Sequence, residues 1–187
     1  MRDLLLVPNI LSLSRLIFAV PAVILVLRAE NEANDMIAVL LLFLSFITDV
    51  LDGVWARTFH AISDLGKILD PVIDKLVMFG VSMALALAAR DPQLPLWLVA
   101  AIVFRDFNIL FLATRVLHED HHLFVSSWTG KATTLCLAFT MLAYLLDDYL
   151  PANLLQVLPY ISLGLLVLTS VDYFEKYWSV RHKRYNS

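Results

Sequence analysis

Asp49 and Asp52 stand three residues apart and Asp70 and Asp74 four apart, and on a helix each spacing puts both carboxylates on one face. Two antiparallel helices joined by a turn around Thr58 to Lys67 would set the pairs against each other as one four-carboxylate cluster. Like charges at that density repel unless a cation neutralises them. Oxygen donors, with no cysteine nearby and His60 as the neighbouring histidine, select Mg²⁺, Mn²⁺ or Ca²⁺ over zinc. Between the pairs, Gly53 lacks a side chain, Ala56 is small, and Arg57 carries a planar donor fork suited to phosphate or ribose oxygens. That combination fits a flat base carried on a diphosphate. Gly66 and the Asp70-Pro71 pair mark a close helix approach and an ordered helix start.

The elements that position these residues follow from composition. Of 187 residues, 60% are apolar and 17% charged, against roughly 45–50% and about 25% in a soluble domain. Lipid is therefore the expected solvent. The runs 16–27, 36–48, 76–89, 92–104, 132–146 and 149–171 carry no Asp, Glu, Lys or Arg, and only the last is long enough alone to span. The others reach spanning length by taking in Arg15, Asp49 with Asp52, Asp74 with Lys75, and Arg105 with Asp106. Charges inside a membrane are costly, so these residues should face one another or a wet cavity and are functional candidates. The expected fold is an all-α integral membrane protein with six transmembrane helices near 10–28, 36–56, 68–89, 95–117, 129–147 and 154–177. A short N-terminal segment with Leu4, Leu5 and Leu6 is expected along the interface.

Short loops and the absence of a linker or repeat predict one domain over 1–187. Loops 29–35, 90–94 and 148–153 hold Arg90, with Arg28 at the edge, while Arg2, Arg57, Lys67, Arg115, Lys131, Arg181, Lys183 and Arg184 collect on the other side. The positive-inside rule then puts both termini and the carboxylates at the cytoplasmic face. No cleavable signal is expected, since the first apolar run contains Arg15 and lacks a small-residue exit. Cys136 is single, which excludes an intramolecular disulfide. A nucleic-acid partner is not expected. His118, His121 and His122 beside Glu119 and Asp120 read as a solvated loop rather than a transition-metal site.

The string Asp49-x2-Asp52-Gly53-x2-Ala56-Arg57-x8-Gly66-x3-Asp70-x3-Asp74 resembles the complete signature of the CDP-alcohol phosphatidyltransferases, without a departure in residue or spacing. Pro8-Asn9-Ile10-Leu11-Ser12 followed by Arg15 is similar to the family's first-helix motif. The resemblance implies transfer of a phosphatidyl group from CDP-diacylglycerol to an alcohol, with CMP leaving, helped by two Mg²⁺ or Mn²⁺ ions. It implies that Asp49, Asp52, Asp70 and Asp74 bind metal and that Asp74 is also the catalytic base. It assigns CDP binding to Asn9, Arg15, Asp52, Gly53, Ala56, Arg57 and Gly66, and it implies a homodimer.

The acceptor is read from other residues. Arg105-Asp106, Arg115 and Ser127-x2-Gly130-Lys131-x2-Thr134 could form a basic pocket, with Arg105, Arg115 and Lys131 on the phosphate of a small phosphorylated alcohol. Gly130-Lys131 and Ser170-x-Asp172-Tyr173-Phe174-x-Lys176 resemble stretches of phosphatidylglycerophosphate synthases, which points to glycerol 3-phosphate. Phosphatidylglycerol, the acceptor of the family's cardiolipin synthases, is the second choice. The plainer alternatives are an intramembrane ion pair for Arg105-Asp106 and interfacial anchors for Arg115 and Lys131. An ion transporter is the competing class, but its site belongs near the midplane with broken helices or inverted repeats, and the sequence shows neither.

Overall fold

The computed structural model describes the backbone of residues 7–28, 32–59, 64–120 and 127–185, and the side chains of 15–28, 32–48, 72–112 and 127–179. Six long helices and one short 3₁₀ turn account for most of these residues: α1 (Val7–Arg28), α2 (Glu32–Phe59), α3 (Asp64–Leu87), α4 (Leu96–Asp120), α5 (Trp128–Leu145), the turn Asp147–Tyr149, and α6 (Ala152–Tyr185). All six expected helices are present, with shifted ends. The Leu4–Leu6 segment lies outside the described residues.

Three boundaries correct the sequence reading. Residues 32–35, expected in a loop, form the first turn of α2, where Glu32 and Asp35 complement the helix dipole. The turn expected around Thr58 to Lys67 is shorter, because α2 runs to Phe59 and α3 begins at Asp64. Pro71 therefore sits inside α3 rather than at its start, a position that helices packed in lipid tolerate. The segment 148–153 is not all loop, since the 3₁₀ turn starts at Asp147 and α6 at Ala152.

The chain forms two compact units, Met1–Gln93 with Tyr144–Leu146, and Leu94–Ala143 with Asp147–Ser187. In the first, α1 packs against both α2 and α3. Among the described side chains of α1, Arg15, Ala19, Ala22 and Val26 are buried, and their 4-3-4 spacing makes one stripe. Arg15 meets Asp74 and Val23 meets Gly80, where an added Cβ would touch Val23 at 3.4 Å, so α1 and α3 run parallel. Ser45 of α2 donates a 3.4 Å hydrogen bond to the Arg15 carbonyl.

At the other end of this unit a buried ion pair closes the packing. Arg90 Nη2 lies 2.6 Å from Asp35 Oδ2, and Nη1 donates at 2.8 Å to the Tyr144 carbonyl. Both side chains are buried, 7% and 12% exposed. Removing one partner of a buried pair strands the other charge at a cost of about 3–5 kcal/mol. Arg90→Met should therefore lower the thermal midpoint of the detergent-solubilised protein by several degrees, and Arg90→Met with Asp35→Leu should recover most of the loss. An unchanged midpoint in the single variant would show that the pair contributes nothing to stability.

The second unit is held by hydroxyl groups. Thr133 Oγ1 meets Thr169 Oγ1 at 2.5 Å, and Thr140 Oγ1 meets Ser162 Oγ at 2.8 Å. These rungs lie seven residues apart on both helices, which sets α5 antiparallel to α6. Trp97 of α4 packs on Tyr160 of α6 with ring centroids 5.4 Å apart.

Across both units small and hydroxyl residues are buried, including Ala22, Ala38, Ala84, Ser82 and Thr133, while Ile17, Phe104, Phe107 and Leu135 are exposed. Water would drive those large groups inward, whereas lipid leaves them outside and admits small residues at helix contacts. Among the described residues, Ala152–Ser179 is long and apolar enough to cross a membrane. The described residues are thus helical throughout their long elements, with a pattern of exposure that suits lipid.

Candidate functional site

The acidic pairs belong to α2 and α3. Residues 49 and 52 are four and seven positions beyond Ser45, so on the α2 backbone they extend the stripe that Ser45 occupies. On α3, residue 70 is one turn before Asp74. Ser45 and Asp74 both meet Arg15 of α1, which sets the level from which the two acidic segments start. The side chains of Asp49, Asp52, Ala56, Arg57 and Asp70, and of Asn9 on α1, and the surroundings of Gly53 and Gly66, lie outside what the structure describes. So do the side chains of Arg115 and the histidines 118, 121 and 122; α4 runs to Asp120, so residues 118–120 continue a helix where a loop was expected.

Asp74 is the acidic residue of this signature whose side chain is described. It pairs with the Arg15 guanidinium, and the two ends of the pair differ in environment, with the arginine side chain 4% exposed and the carboxylate 57%. The acid is thus reachable from outside while its partner is fixed within the helix packing. Among the described side chains no group of three His, Cys, Asp or Glu could hold a metal. The donor chemistry of the four aspartate positions, oxygen alone on two helical backbones at three- and four-residue spacing, fits a hard divalent cation.

The residues given to the acceptor come together in part within the second unit. Arg105 of α4 pairs with Asp106 at 2.8 Å, as the ion-pair alternative expected. Its guanidinium also faces the start of α5, where a Cβ on Gly130 would lie 3.8 Å from Arg105 Nη2, 3.5 Å from the Tyr173 hydroxyl and 3.3 Å from Ser127 Oγ. Arg105 Nε is buried and has no hydrogen-bond partner among the described residues. Ser127 caps α5 by accepting a 3.0 Å hydrogen bond from the Gly130 N–H. Lys131 is exposed, with Nζ 5.8 Å from the centre of the Trp128 ring, an arrangement that also suits an interfacial anchor.

The sequence places Ser127 in the stretch of the basic pocket and Tyr173 in a stretch that resembles the synthases, with no role of its own for either. Tyr173 is buried at the contact of α6 with Gly130, and the adjacent Asp172 accepts from Thr129 at 2.7 Å and from Lys176 at 3.1 Å. A run of Asp, Tyr and Lys near a helix end reads as interfacial, which hid this packing role. Gly130→Val should push Arg105 and Tyr173 off the α5 start, because even one added carbon meets three side-chain atoms within 3.8 Å. The expected result is a raised acceptor KM with little change for the lipid substrate. Steady-state kinetics with each substrate varied would check it, and equal effects on both would mean a general packing defect.

A helical chain with these segments can be placed by comparison. The family model for CDP-alcohol phosphatidyltransferases matches residues 5–169. The chain belongs to this family. The phosphatidyltransferase is 32% identical over 175 residues to the CDP-diacylglycerol–glycerol-3-phosphate 3-phosphatidyltransferase of Aquifex aeolicus, covering 89% of this chain and 93% of that one. It is 35% identical over 146 residues to the cardiolipin synthase (CMP-forming) of Streptomyces coelicolor, covering 77% and 66%. The enzyme of the first type from Bacillus subtilis is 31% identical over 145 residues, covering 74% and 72%. The phosphatidyltransferase is thus a transferase of a membrane-associated family, and its family match runs through both compact units.

Proposed function

We propose that the enzyme transfers the phosphatidyl group of CDP-diacylglycerol to glycerol 3-phosphate, releasing CMP. The observation that carries this reading is the match along 89% of the chain to a glycerol-3-phosphate phosphatidyltransferase. Arg105 facing Gly130 at the start of α5 supports an anionic acceptor.

In this reading Asp74 accepts the proton of the acceptor hydroxyl, whose oxygen attacks the phosphorus carrying the diacylglycerol. A new P–O bond forms in line as the P–O bond to CMP breaks, and the proton passes from Asp74 to solvent. Asn9, Asp52, Gly53, Ala56, Arg57 and Gly66 hold the CDP group. Two Mg²⁺ or Mn²⁺ ions on Asp49, Asp52, Asp70 and Asp74 would supply charge neutralisation at the diphosphate. Arg105, Arg115 and Lys131 bind the acceptor phosphate. Residues 1–187 act as one homodimeric membrane domain of six spans, with the site and both termini on the cytoplasmic side, where basic residues gather.

Cardiolipin synthesis from phosphatidylglycerol is the second reading, favoured by the Streptomyces coelicolor relative. Purified enzyme given CDP-diacylglycerol, Mg²⁺ or Mn²⁺ and a panel of alcohols, with products identified by mass, separates the two. Phosphatidylglycerophosphate is the expected product. Consumption of phosphatidylglycerol but not glycerol 3-phosphate would install the second reading.

A further inference from the structure

Arg15 resembles a CDP-binding residue by its place after the first-helix motif, yet the fold gives it another environment. The residue is 3% exposed and begins the buried stripe that continues through Ala19, Ala22 and Val26. Its carbonyl accepts from Ser45 on α2, and its guanidinium pairs with Asp74 on α3. Three helices thus converge on one arginine, and the Asp74 side chain with which it pairs is 57% exposed.

We infer that Arg15 is a positioning residue that fixes the Asp74 carboxylate for proton removal, rather than a ligand of the nucleotide. The inference rests on Asp74 acting as the base. A buried guanidinium is suited to this task because its planar fork has a fixed donor geometry and never loses its charge. Arg15 is 3% exposed on a helix packed against both α2 and α3, so its guanidinium is not presented to a substrate from outside. The carboxylate, aimed from behind, keeps an outward side from which an alcohol can approach. A direct nucleotide ligand would need the opposite arrangement, with the guanidinium itself reachable.

The test uses the purified full chain and the variants Arg15→Gln, Arg15→Lys, Asp74→Asn and the double variant Arg15→Gln with Asp74→Asn. Misplacing a reacting group by about 1 Å can cost about a hundredfold in rate. Arg15→Gln should therefore lose about that much in kcat while the KM for CDP-diacylglycerol and the equilibrium affinity for CDP stay near wild type. Arg15→Lys keeps the charge without the fork and should recover part of kcat. The double variant should be no slower than Asp74→Asn, since a base that is gone cannot be mispositioned. Weakened CDP binding in Arg15→Lys at unchanged kcat would overturn the inference, and so would losses that multiply in the double variant. If Arg15→Gln does not fold, the Arg15→Lys and CDP-binding measurements decide by themselves. Wild-type turnover in Asp74→Asn would instead overturn the role of the base, a result distinct from a silent Arg15.

Discussion

Asp74→Asn is expected to cut kcat by about 10²–10⁴-fold, the range a positioned general base supplies. Asparagine keeps the size of the side chain, and its carbonyl oxygen can still accept from Arg15, so the α1–α3 contact survives. What it cannot do is take a proton from the acceptor hydroxyl. Affinity for CDP-diacylglycerol should hold, because the nucleotide is assigned to other residues and three of the four aspartates remain. The comparison is single-turnover rate against equilibrium binding of the lipid. Near-normal turnover would remove Asp74 from proton transfer, and loss of binding in step with rate would make it a ligand of the nucleotide-metal complex alone.

Arg105→Lys is the second large effect. The change keeps a positive charge beside Asp106 and deletes the planar fork that faces Gly130 and Tyr173. A charged hydrogen bond contributes about 1.5–3 kcal/mol, which corresponds to roughly a ten- to hundredfold loss in kcat/KM for glycerol 3-phosphate. The KM for CDP-diacylglycerol should stay where it is. Lys131→Gln provides the contrast: its ammonium lies over the exposed Trp128 ring, and unchanged acceptor kinetics would return it to an anchoring role. If Arg105→Lys also leaves the acceptor untouched, the Arg105-Asp106 pair serves helix packing only.

The helices were legible because lipid imposes one requirement on every segment, an internally bonded backbone under an apolar surface, and charge-free runs record it. Their ends were not, since Glu32 and Asp35 look like loop residues until the dipole they complement is present. Pro71 misled for a related reason: proline opens helices in water but is carried inside them where neighbours shield the freed carbonyl. The acidic signature was fully visible as spacing. Arg90 with Asp35 was not, because 55 residues separate a cation that reads as a topology marker from an acid that reads as a loop residue. Arg15 was marked as a buried charge by its place in the first apolar run, but its pairing with Asp74, 59 residues away, was not legible, since one sequence shows that a charge is buried without showing what it meets. Tyr173 was hidden the same way, its contact with Gly130 spanning α5 and α6.

The hydroxyl rungs between α5 and α6 imply an unusual response to cold. Packing driven by water carries a large heat-capacity change and weakens as temperature falls. In the proposed six-span reading, Thr133 with Thr169 and Thr140 with Ser162 meet inside the membrane, where separating the helices would expose them to acyl chains instead of water. Their association is therefore governed by hydrogen-bond enthalpy and lipid order, and chilling should tighten the α5–α6 pair. Activity lost in the cold would then come from the surrounding bilayer stiffening, and shorter or more unsaturated acyl chains should restore it without any change in the protein.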